Sequence, residues 1–308
     1  MPGAIVTGWG IAVPDKVVTN EDLSLTLDTS DAWITERTGI KERHIGGTTS
    51  GLAIEAGEHA LKRAGLTGSD IDLLVLATTT PDAIVPGTSA TVQAGLGVAG
   101  GAFDVNAACS GFVYALVVAH GMALVGAQKI LVVGSETLSR ITDWDDRSVA
   151  ILVGDGAGAV VLEATEGPGE LLGWHLGADG ELRDLLKCDH GGHLYMNGKE
   201  IFRHAVRAVI DSSLIALERA GLTPDDVDLF VPHQANARII TAAAQRLGIA
   251  EDRYVVTIDR YGNTSSASIP LALVDALETD RIKPGSIVLL SGFGGGMTWA
   301  SAVLRWGG

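Results

Sequence analysis

Cysteine is scarce in this sequence of 308 residues, which contains only Cys109 and Cys188. Two cysteines are too few for a disulfide framework, so we expect a reducing, cytoplasmic environment. Basic residues are scarce as well, because 22 Lys and Arg stand against 37 Asp and Glu and give a formal net charge of −15. Such a surface repels phosphate backbones, and the sequence therefore argues against nucleic-acid binding.

Long hydrophobic runs are also absent, although 46% of the residues are hydrophobic. No run is long enough to span a bilayer, and the segment Met1–Ala4 has no basic region of the kind that begins a signal peptide. We therefore expect no membrane partner. The chain is long enough for a large core in two domains or two fused halves.

An internal repeat is the strongest organising feature of the sequence. Residues 60–75 (ALKRAGLTGSDIDLLV) and 216–231 (ALERAGLTPDDVDLFV) are identical at 11 of 16 positions with a constant offset of 156. Each copy predicts the end of an amphipathic helix, a glycine turn, a short acidic linker and a buried strand, Leu73–Ala77 or Leu229–Pro232. Chance similarity between α/β units is an improbable alternative.

Two further pairs of segments extend the repeat. The apolar runs 129–135 and 286–292 resemble each other, and both predict strands buried on two faces. Between them, residues 103–109 align with 258–264, which places Cys109 opposite Thr264. Strands that alternate with helices in two copies predict an α/β protein with two similar halves, each with a mostly parallel sheet covered by helices.

The boundary between the halves is predicted near Glu163–Gly169, where the apolar pattern breaks, so that residues 1–165 and 166–308 form the two halves. Ligands in open α/β sheets bind beyond the carboxyl ends of the strands. A site where the halves meet would therefore collect equivalent loops from both.

Cys109 is the first candidate for chemistry, because the apolar helical stretch Phe112–Leu124 follows it almost at once. A helix N-terminus lowers the pKa of a thiol and favours the nucleophilic thiolate. The alternative is a buried, inert cysteine.

His233 and Asn263 are the next candidates. His233 comes directly after a buried strand, where a histidine suits acid–base or oxyanion chemistry, although a structural histidine is the common alternative. Asn263 lies in a loop that the repeat places near Cys109, and an ordinary Asn turn is its alternative. The glycines of 292–297 could present N–H groups to an oxyanion, and they lack the ending of a phosphate-binding P-loop.

The motifs AACSGF, VPHQAN and YGNTSSAS, around Cys109, His233 and Asn263, resemble the Cys-His-Asn site of the 3-oxoacyl-[acyl-carrier-protein] synthase III family. The resemblance covers nearly the whole chain and includes residues 29–40 and 293–299. It implies a thiolase-like fold with a layered α-β-α-β-α core. It also implies an acyltransferase that condenses an acyl-CoA primer with malonyl-acyl-carrier protein, releases CO2 and so initiates fatty-acid synthesis.

The resemblance assigns a role to each catalytic residue. Cys109 would carry the acyl group, and His233 and Asn263 would stabilise the enolate that forms as CO2 leaves. The N–H groups of Cys109 and Gly295 would form the oxyanion hole, and Phe293 would shape the pocket floor. No metal and no redox cofactor is expected, since enolate stabilisation needs only hydrogen-bond donors.

Binding residues follow from the same resemblance. Trp33 and Arg147 would sandwich the adenine of CoA, with Arg37 on a phosphate and Asn236 as a further CoA contact. The expected carrier-protein docking patch consists of Arg238, Arg203 and Arg246. A homodimer is expected in which the loop with Val85 caps the partner's acyl pocket, and Val85 stands where relatives may carry a bulkier Phe.

Departures and alternatives accompany these expectations. The segment 187–193 contains Cys, Asp and His, yet its spacing fits no zinc pattern, and Lys199 replaces an expected Asn near the CoA side. A same-fold synthase of polyketide or other secondary metabolism is the main alternative function. A cysteine hydrolase with a Cys-His-Asn site is more distant, and a non-catalytic subunit would not need all three reactive residues.

Overall fold

The computed structural model describes residues 3–307, within which the chain forms thirteen strands and ten α-helices. The strands are β1 (Gly3–Ala12), β2 (Val17–Thr19), β3 (Glu42–His44), β4 (Leu73–Ala77), β5 (Gly101–Val105), β6 (Lys129–Thr137), β7 (Asp155–Thr165), β8 (Leu171–Ala178), β9 (Leu186–Lys187), β10 (Tyr195–Met196), β11 (Leu229–Pro232), β12 (Ile287–Gly294) and β13 (Thr298–Arg305). The helices are α1 (Asn20–Ser24), α2 (Asp31–Thr38), α3 (Thr49–Ala64), α4 (Thr88–Leu96), α5 (Gly111–Leu124), α6 (Arg147–Ala150), α7 (Gly198–Ala220), α8 (Ala237–Leu247), α9 (Ile258–Tyr261) and α10 (Ser268–Glu278).

Two sheets organise the molecule, one in each half of the chain. The first has the strand order β1-β7-β6-β4-β5, and the second has the order β11-β12-β13-β8. The break between them lies in the connection from Thr165 to Leu171, which contains the boundary proposed at residues 165 and 166.

The prediction of mostly parallel sheets is wrong. Within these two sheets of residues 3–307, the pairs β4–β5, β4–β6 and β11–β12 are parallel, whereas β1–β7, β6–β7, β12–β13 and β8–β13 are antiparallel. The physical reason is clearest for β12 and β13, because the short turn at residues 295–297 joins them directly. A parallel pair needs a long crossover connection, so a tight turn must reverse the strand direction.

Helices fill three layers around the two sheets. Helices α5 and α10 lie between the sheets, since each packs against strands of both. Helix α5 is apolar on every side, as expected of a helix with neighbours all round. Helices α3 and α4 cover the outer face of the first sheet. Helix α7 covers the outer face of the second sheet, and α8 packs beside it in the same hydrophobic cluster as Phe230 and Leu289. The layered α-β-α-β-α core expected from the sequence is therefore confirmed.

The sequence repeat is confirmed as a structural repeat. Helices α3 and α7 both end at a glycine in the left-handed conformation, Gly65 and Gly221, each with φ 70°. Glycine has no Cβ and adopts this conformation without strain. Each glycine is followed by a 3-10 turn that is capped by a threonine, Thr67 or Thr223, and then by the predicted strand β4 or β11. Within residues 3–307, no helix combines the length and the apolar character that crossing a membrane requires.

Candidate active site

Cys109 lies in a tight turn between β5 and the central helix α5. The side-chain Oδ1 of Asn106 accepts a hydrogen bond from the backbone N–H of Ala108 at 3.3 Å, and Ala108 has a left-handed φ of 47°. A residue with a Cβ is strained in this region by roughly 1–2 kcal/mol. The 3-10 turn Ala108–Ser110 then leads into α5, so the predicted helix begins two residues after Cys109.

The loop of Asn263 repeats this turn in the second half. Its Oδ1 accepts a hydrogen bond from the N–H of Ser265 at 2.9 Å, and Ser265 also has a φ of 47°. The structure therefore pairs Asn263 with Asn106 and Ser266 with Cys109. The sequence alignment that placed Thr264 opposite Cys109 was wrong by two residues. The second half has the short helix α9 where the first has strand β5, so the alternating strand pattern could not set the alignment there.

Cys109, Asn263 and His233 come together at two adjoining cavities. An inner cavity of about 110 Å³ is lined by all three residues and by Phe293. An outer cavity of about 360 Å³ is lined by Cys109, Asn263 and Gly295. The sequence therefore selected residues from both halves that the fold brings to one place.

His233 is almost fully buried, and its ring is held from two sides. Its Nδ1 lies 2.5 Å from the Oγ of Ser268, which also accepts a hydrogen bond from the N–H of Gln234 at 3.3 Å. The Ser268 oxygen accepts from Gln234 and has a second lone pair, so its contact with Nδ1 fits either tautomer of the ring; with Ser268 as the donor to Nδ1, the N–H of the ring lies on Nε2. Burial lowers the pKa of His233 to about 3, so the ring is neutral at pH 7. Phe293 packs edge-on against it at 5.5 Å.

The amide of Asn263 is oriented by its contact with Ser265. The backbone N–H of Ser265 needs an acceptor, which fixes Oδ1 on that side and leaves the Nδ2 hydrogens of Asn263 as donors. Asn263 thus supplies one neutral N–H donor beside Cys109, and His233 supplies a second in the tautomer that carries its proton on Nε2. Two such donors suit an oxygen that develops negative charge.

The structure contradicts the expectation of a thiolate at Cys109. The pKa of Cys109 is raised to about 12, chiefly by burial and in smaller part by the negative charge of Glu136, while a hydrogen bond from the side chain of Ser265 opposes the change. Removal of water from the thiolate outweighs the helix N-terminus, which stands one turn away behind the Ala108–Ser110 turn. The resting residue is therefore a thiol at pH 7.

Gly294 is a site residue that the sequence analysis missed. A Cβ on Gly294 would lie 2.4 Å from the backbone N of Cys109 and 2.8 Å from the Cβ of Ala108. Strand β12 can therefore pass this close to the backbone of Cys109 only because residue 294 is a glycine. The run of glycines in 292–297 was the available signal, but it does not reveal which glycine is in contact.

The outer cavity is largely aliphatic, which suits an acyl chain. Its apolar lining consists of Leu138, Ile141, Val149, Leu152, Val153, Leu186, Leu194 and Met196. The sequence analysis named none of these residues, because aliphatic residues that line a cavity have the same sequence pattern as aliphatic residues of the hydrophobic core. Val85 is not part of this lining, since its side chain is 84% exposed on the loop before α4.

The predicted CoA-binding residues form one cluster. The guanidinium groups of Arg37 and Arg147 lie 4.3 Å and 4.7 Å from the centre of the Trp33 ring. Asn236 lines the inner cavity and donates a hydrogen bond to the carbonyl of Arg37 at 3.1 Å, which links this cluster to the site. Arg147 stacks directly on Trp33, so an adenine could enter between them only after Arg147 moves.

The predicted docking arginines are exposed on α7 and α8. Arg238 donates a hydrogen bond to the carbonyl of Glu36 at 3.0 Å, and Arg203 forms an ion pair with Glu200 at 2.7 Å. Arg246 is exposed in the last turn of α8. Their role in carrier-protein docking stays a prediction.

In the part of the chain from 3 to 307, no three His, Cys, Asp or Glu side chains are placed to hold a metal ion together.

Comparison with known proteins places these features in a single family. Two family models match, 3-oxoacyl-[acyl-carrier-protein (ACP)] synthase III over residues 103–180 and its C-terminal counterpart over residues 217–306. The chain is 52% identical to the beta-ketoacyl-[acyl-carrier-protein] synthase III of Roseiflexus castenholzii over 98% of both chains. Its structure resembles that of the Aquifex aeolicus 3-oxoacyl-[acyl-carrier-protein] synthase III, with a TM-score of 0.97, 45% identity and coverage of 99% and 100%. The priming beta-ketosynthase of the R1128 polyketide pathway is less similar, at 36% identity, a TM-score of 0.93 and coverage of 98% and 96%.

Proposed function

Because this chain belongs to the 3-oxoacyl-[acyl-carrier-protein] synthase III family, we propose that it condenses an acyl-CoA primer with malonyl-acyl-carrier protein. The product is a 3-oxoacyl-carrier protein, and the reaction initiates fatty-acid synthesis through an acyl-Cys109 intermediate. The observation that carries this proposal is the meeting of Cys109, His233 and Asn263 at one inner cavity, beside an aliphatic outer cavity.

The first step transfers the acyl group to Cys109. The sulfur attacks the thioester carbonyl, the bond from that carbonyl to the CoA sulfur breaks, and the thiol proton ends on the released CoA. Transfer to a protein thiol divides one difficult condensation into two easier steps. The N–H groups of Cys109 and Gly295 are the proposed donors to the oxyanion of this step.

The second step is decarboxylative condensation. The malonyl thioester loses CO2, and the electron pair of the broken C–C bond forms an enolate that attacks the carbonyl of acyl-Cys109. The new C–C bond forms, the bond from that carbonyl to the sulfur of Cys109 breaks, and the departing thiolate takes up a proton from solvent to restore the thiol. The Nε2–H of His233 and the Nδ2–H of Asn263 are neutral donors suited to the enolate oxygen. A donor of this kind lowers the activation barrier by on the order of 3 kcal/mol. We propose that no metal and no organic cofactor takes part.

The proposal extends to partners and to cellular location. Arg238, Arg203 and Arg246 would receive the acidic carrier protein, and Trp33, Arg37, Arg147 and Asn236 would bind CoA. Strand β5 lies at the edge of the first sheet, and Phe103 on it is 36% exposed. An unpaired sheet edge with an exposed aromatic side chain supports a homodimer. The two free cysteines support a reducing, cytoplasmic location.

A polyketide-priming role is the second candidate, supported by the fold and the 36% identity to the R1128 synthase. The two reactions share an acyl-cysteine and differ in the carrier protein. Measurement of condensation with malonyl groups on a fatty-acid carrier protein and on a polyketide carrier protein would separate them.

Mass spectrometry of the intact protein tests the proposed first step. After exposure to a panel of acyl-CoAs, the wild type should gain one acyl group, and the peptide that contains Cys109 should carry it. Cys109→Ser should gain none, whereas Cys188→Ser should behave like the wild type. Acylation of Cys188 in the Cys109→Ser variant would contradict the assignment.

A further inference from the structure

Glu136 is a fully buried carboxylate at the end of β6, and the mechanism above does not use it. Both of its oxygens accept hydrogen bonds from the segment that follows β4. Thr80 donates to Oε2 through its hydroxyl at 2.6 Å and its N–H at 3.1 Å, and Thr79 donates through its N–H at 3.0 Å. The hydroxyl of Thr78 adds a bond at 3.1 Å. A buried charge is tolerated when it is bonded so fully.

The same carboxylate reaches into the second half of the chain. The hydroxyl of Ser266 lies 2.8 Å from Oε1 of Glu136, and also 2.9 Å from the carbonyl of Ala77. Ser266 occupies the position in the second half that Cys109 occupies in the first. The carboxylate therefore joins three segments, β6, the loop after β4 and the turn that bears Asn263.

Both ends of this network adjoin the reactive residues. Thr79 lines the outer cavity together with Cys109, and Ser265, directly before Ser266, hydrogen-bonds the thiol. Asn263 is held by the N–H of Ser265. A displacement of Ser266 would thus move the donors that face Cys109.

We propose that Glu136 is a positioning residue, which fixes the turn of Asn263 and the Thr79 loop around Cys109. Its part in condensation rests on the proposed function, whereas its effect on the thiol can be measured without any substrate.

The charge of Glu136 is the negative charge that opposes ionisation of Cys109. His233 also faces the thiol from the end of β11, but it is neutral at pH 7. Arg183, Lys187 and Cys188 line the outer cavity from the β9 side. Because Cys109 is only partly exposed to solvent, the nearby charge is incompletely screened, and its loss should make the thiolate easier to form.

Alkylation of Cys109 by iodoacetamide tests the proposal directly, since only the thiolate reacts. The rate is followed by mass spectrometry in a Cys188→Ser background from pH 7 to pH 10. Glu136→Gln should be alkylated about three- to tenfold faster than the wild type at pH 8, the factor expected for loss of one nearby charge. Glu136→Asp retains the charge and should react at the wild-type rate.

Glu170→Gln is the matched control, because Glu170 is equally buried but bonds to the N–H groups of Val6 and Gly307, away from the site. Cys109 of the Glu170→Gln variant should be alkylated at the wild-type rate. Equal rates for Glu136→Gln and Glu170→Gln across the pH range would overturn the proposal.

Condensation supplies the second measurement and covers the case in which Glu136→Gln does not fold. Ser266→Ala keeps the charge and removes one bond to it, so its alkylation should match the wild type while kcat for condensation falls at least tenfold at an unchanged KM. Wild-type kcat in Ser266→Ala would overturn the positioning role. Absence of condensation in the wild type would instead reject the proposed function, and the alkylation result would still decide the effect of Glu136 on the thiol.

Discussion

Ala108 and Ser265 share one unusual backbone conformation, φ 47°, at equivalent positions of the two halves. Each follows an asparagine by two residues, and the Oδ1 of that asparagine accepts the N–H of the strained residue. Each also begins a 3-10 turn that leads into a helix of the central layer. The two turns meet at the site, so that one presents Cys109 and the other presents the amide of Asn263. The same turn, present once in each half, thus carries the nucleophile in the first half and a hydrogen-bond donor in the second.

Gly294→Ala should abolish acylation. The added Cβ would lie 2.4 Å from the backbone N of Cys109. Because this contact is with backbone and not with a flexible side chain, the turn that contains Cys109 must shift. A displacement of about 1 Å at a reactive group costs on the order of 100-fold in rate. Acyl-enzyme formation from acetyl-CoA is the measurement. Gly180→Ala, where no atom lies within 4 Å of the new Cβ, is the control. Normal acylation of Gly294→Ala would show that the turn can yield.

His233→Ala and Asn263→Ala should keep acylation of Cys109 but lose decarboxylation. Each variant removes one neutral donor to the enolate oxygen, which corresponds to on the order of 3 kcal/mol, or about 100-fold. CO2 release from malonyl-carrier protein and the mass of the acyl-enzyme are measured on the same samples. Near wild-type CO2 release in both variants would reject their paired role.

Arg238→Glu should raise KM for malonyl-carrier protein much more than KM for acyl-CoA. Arg238 is exposed on α8 of a protein with net charge −15, and an acidic carrier protein needs a local positive surface to dock. High salt should reduce the difference, because it screens exposed charges. Lys62→Glu, at an exposed position on α3 over the first sheet, is the control for charge alone. Equal effects on both substrates would place the docking surface elsewhere.

Glu170 should make stability depend on pH. Burial raises its pKa from 4.5 to about 7 in the folded protein, so the folded state binds the proton more tightly than the unfolded state. The stabilisation from the protonated form is complete below pH 4.5 and is lost as pH rises through 7, a change on the order of 3 kcal/mol. Urea unfolding between pH 4.5 and pH 8 measures it. Relative to Glu170→Gln, the wild type should lose stability over this range, whereas exposed Glu58→Gln should follow the wild type. A constant difference between wild type and Glu170→Gln would contradict this assignment.

Val85 should permit primers longer than acetyl. The aliphatic outer cavity of about 360 Å³ has room for several methylenes, each of which adds about 0.8 kcal/mol when buried. Val85 is 84% exposed in the single chain, so it can limit the pocket only from a partner subunit. Acylation rates with acetyl-, butyryl-, isobutyryl- and octanoyl-CoA are compared for the wild type and Val85→Phe, with sedimentation to establish the dimer. A strict preference for acetyl-CoA, unchanged in Val85→Phe, would show that this position does not set primer size.

The sequence by itself determined the duplicated α/β organisation and the chemical class. The 16-residue repeat encodes a helix, a left-handed glycine and a buried strand, and these are local features set by backbone sterics and hydrophobic periodicity. The motifs AACSGF, VPHQAN and YGNTSSAS around Cys109, His233 and Asn263 identified the family, because their flanking residues as well as the reactive ones resemble it.

The tertiary structure alone decided strand direction, the alignment of the two turns and the protonation of Cys109. The relative direction of neighbouring strands depends on the length of the segments that connect them. The alignment of residues 103–109 with 258–264 failed because helix α9 stands where the first half has strand β5. The state of Cys109 depends on burial and on the charge of Glu136, which reaches the site from a distant part of the chain. Glu136 and Ser268 carried no local signal, and the run of glycines in 292–297 did not reveal the contact of Gly294, because a hydrogen bond or close contact between remote segments exists only after folding.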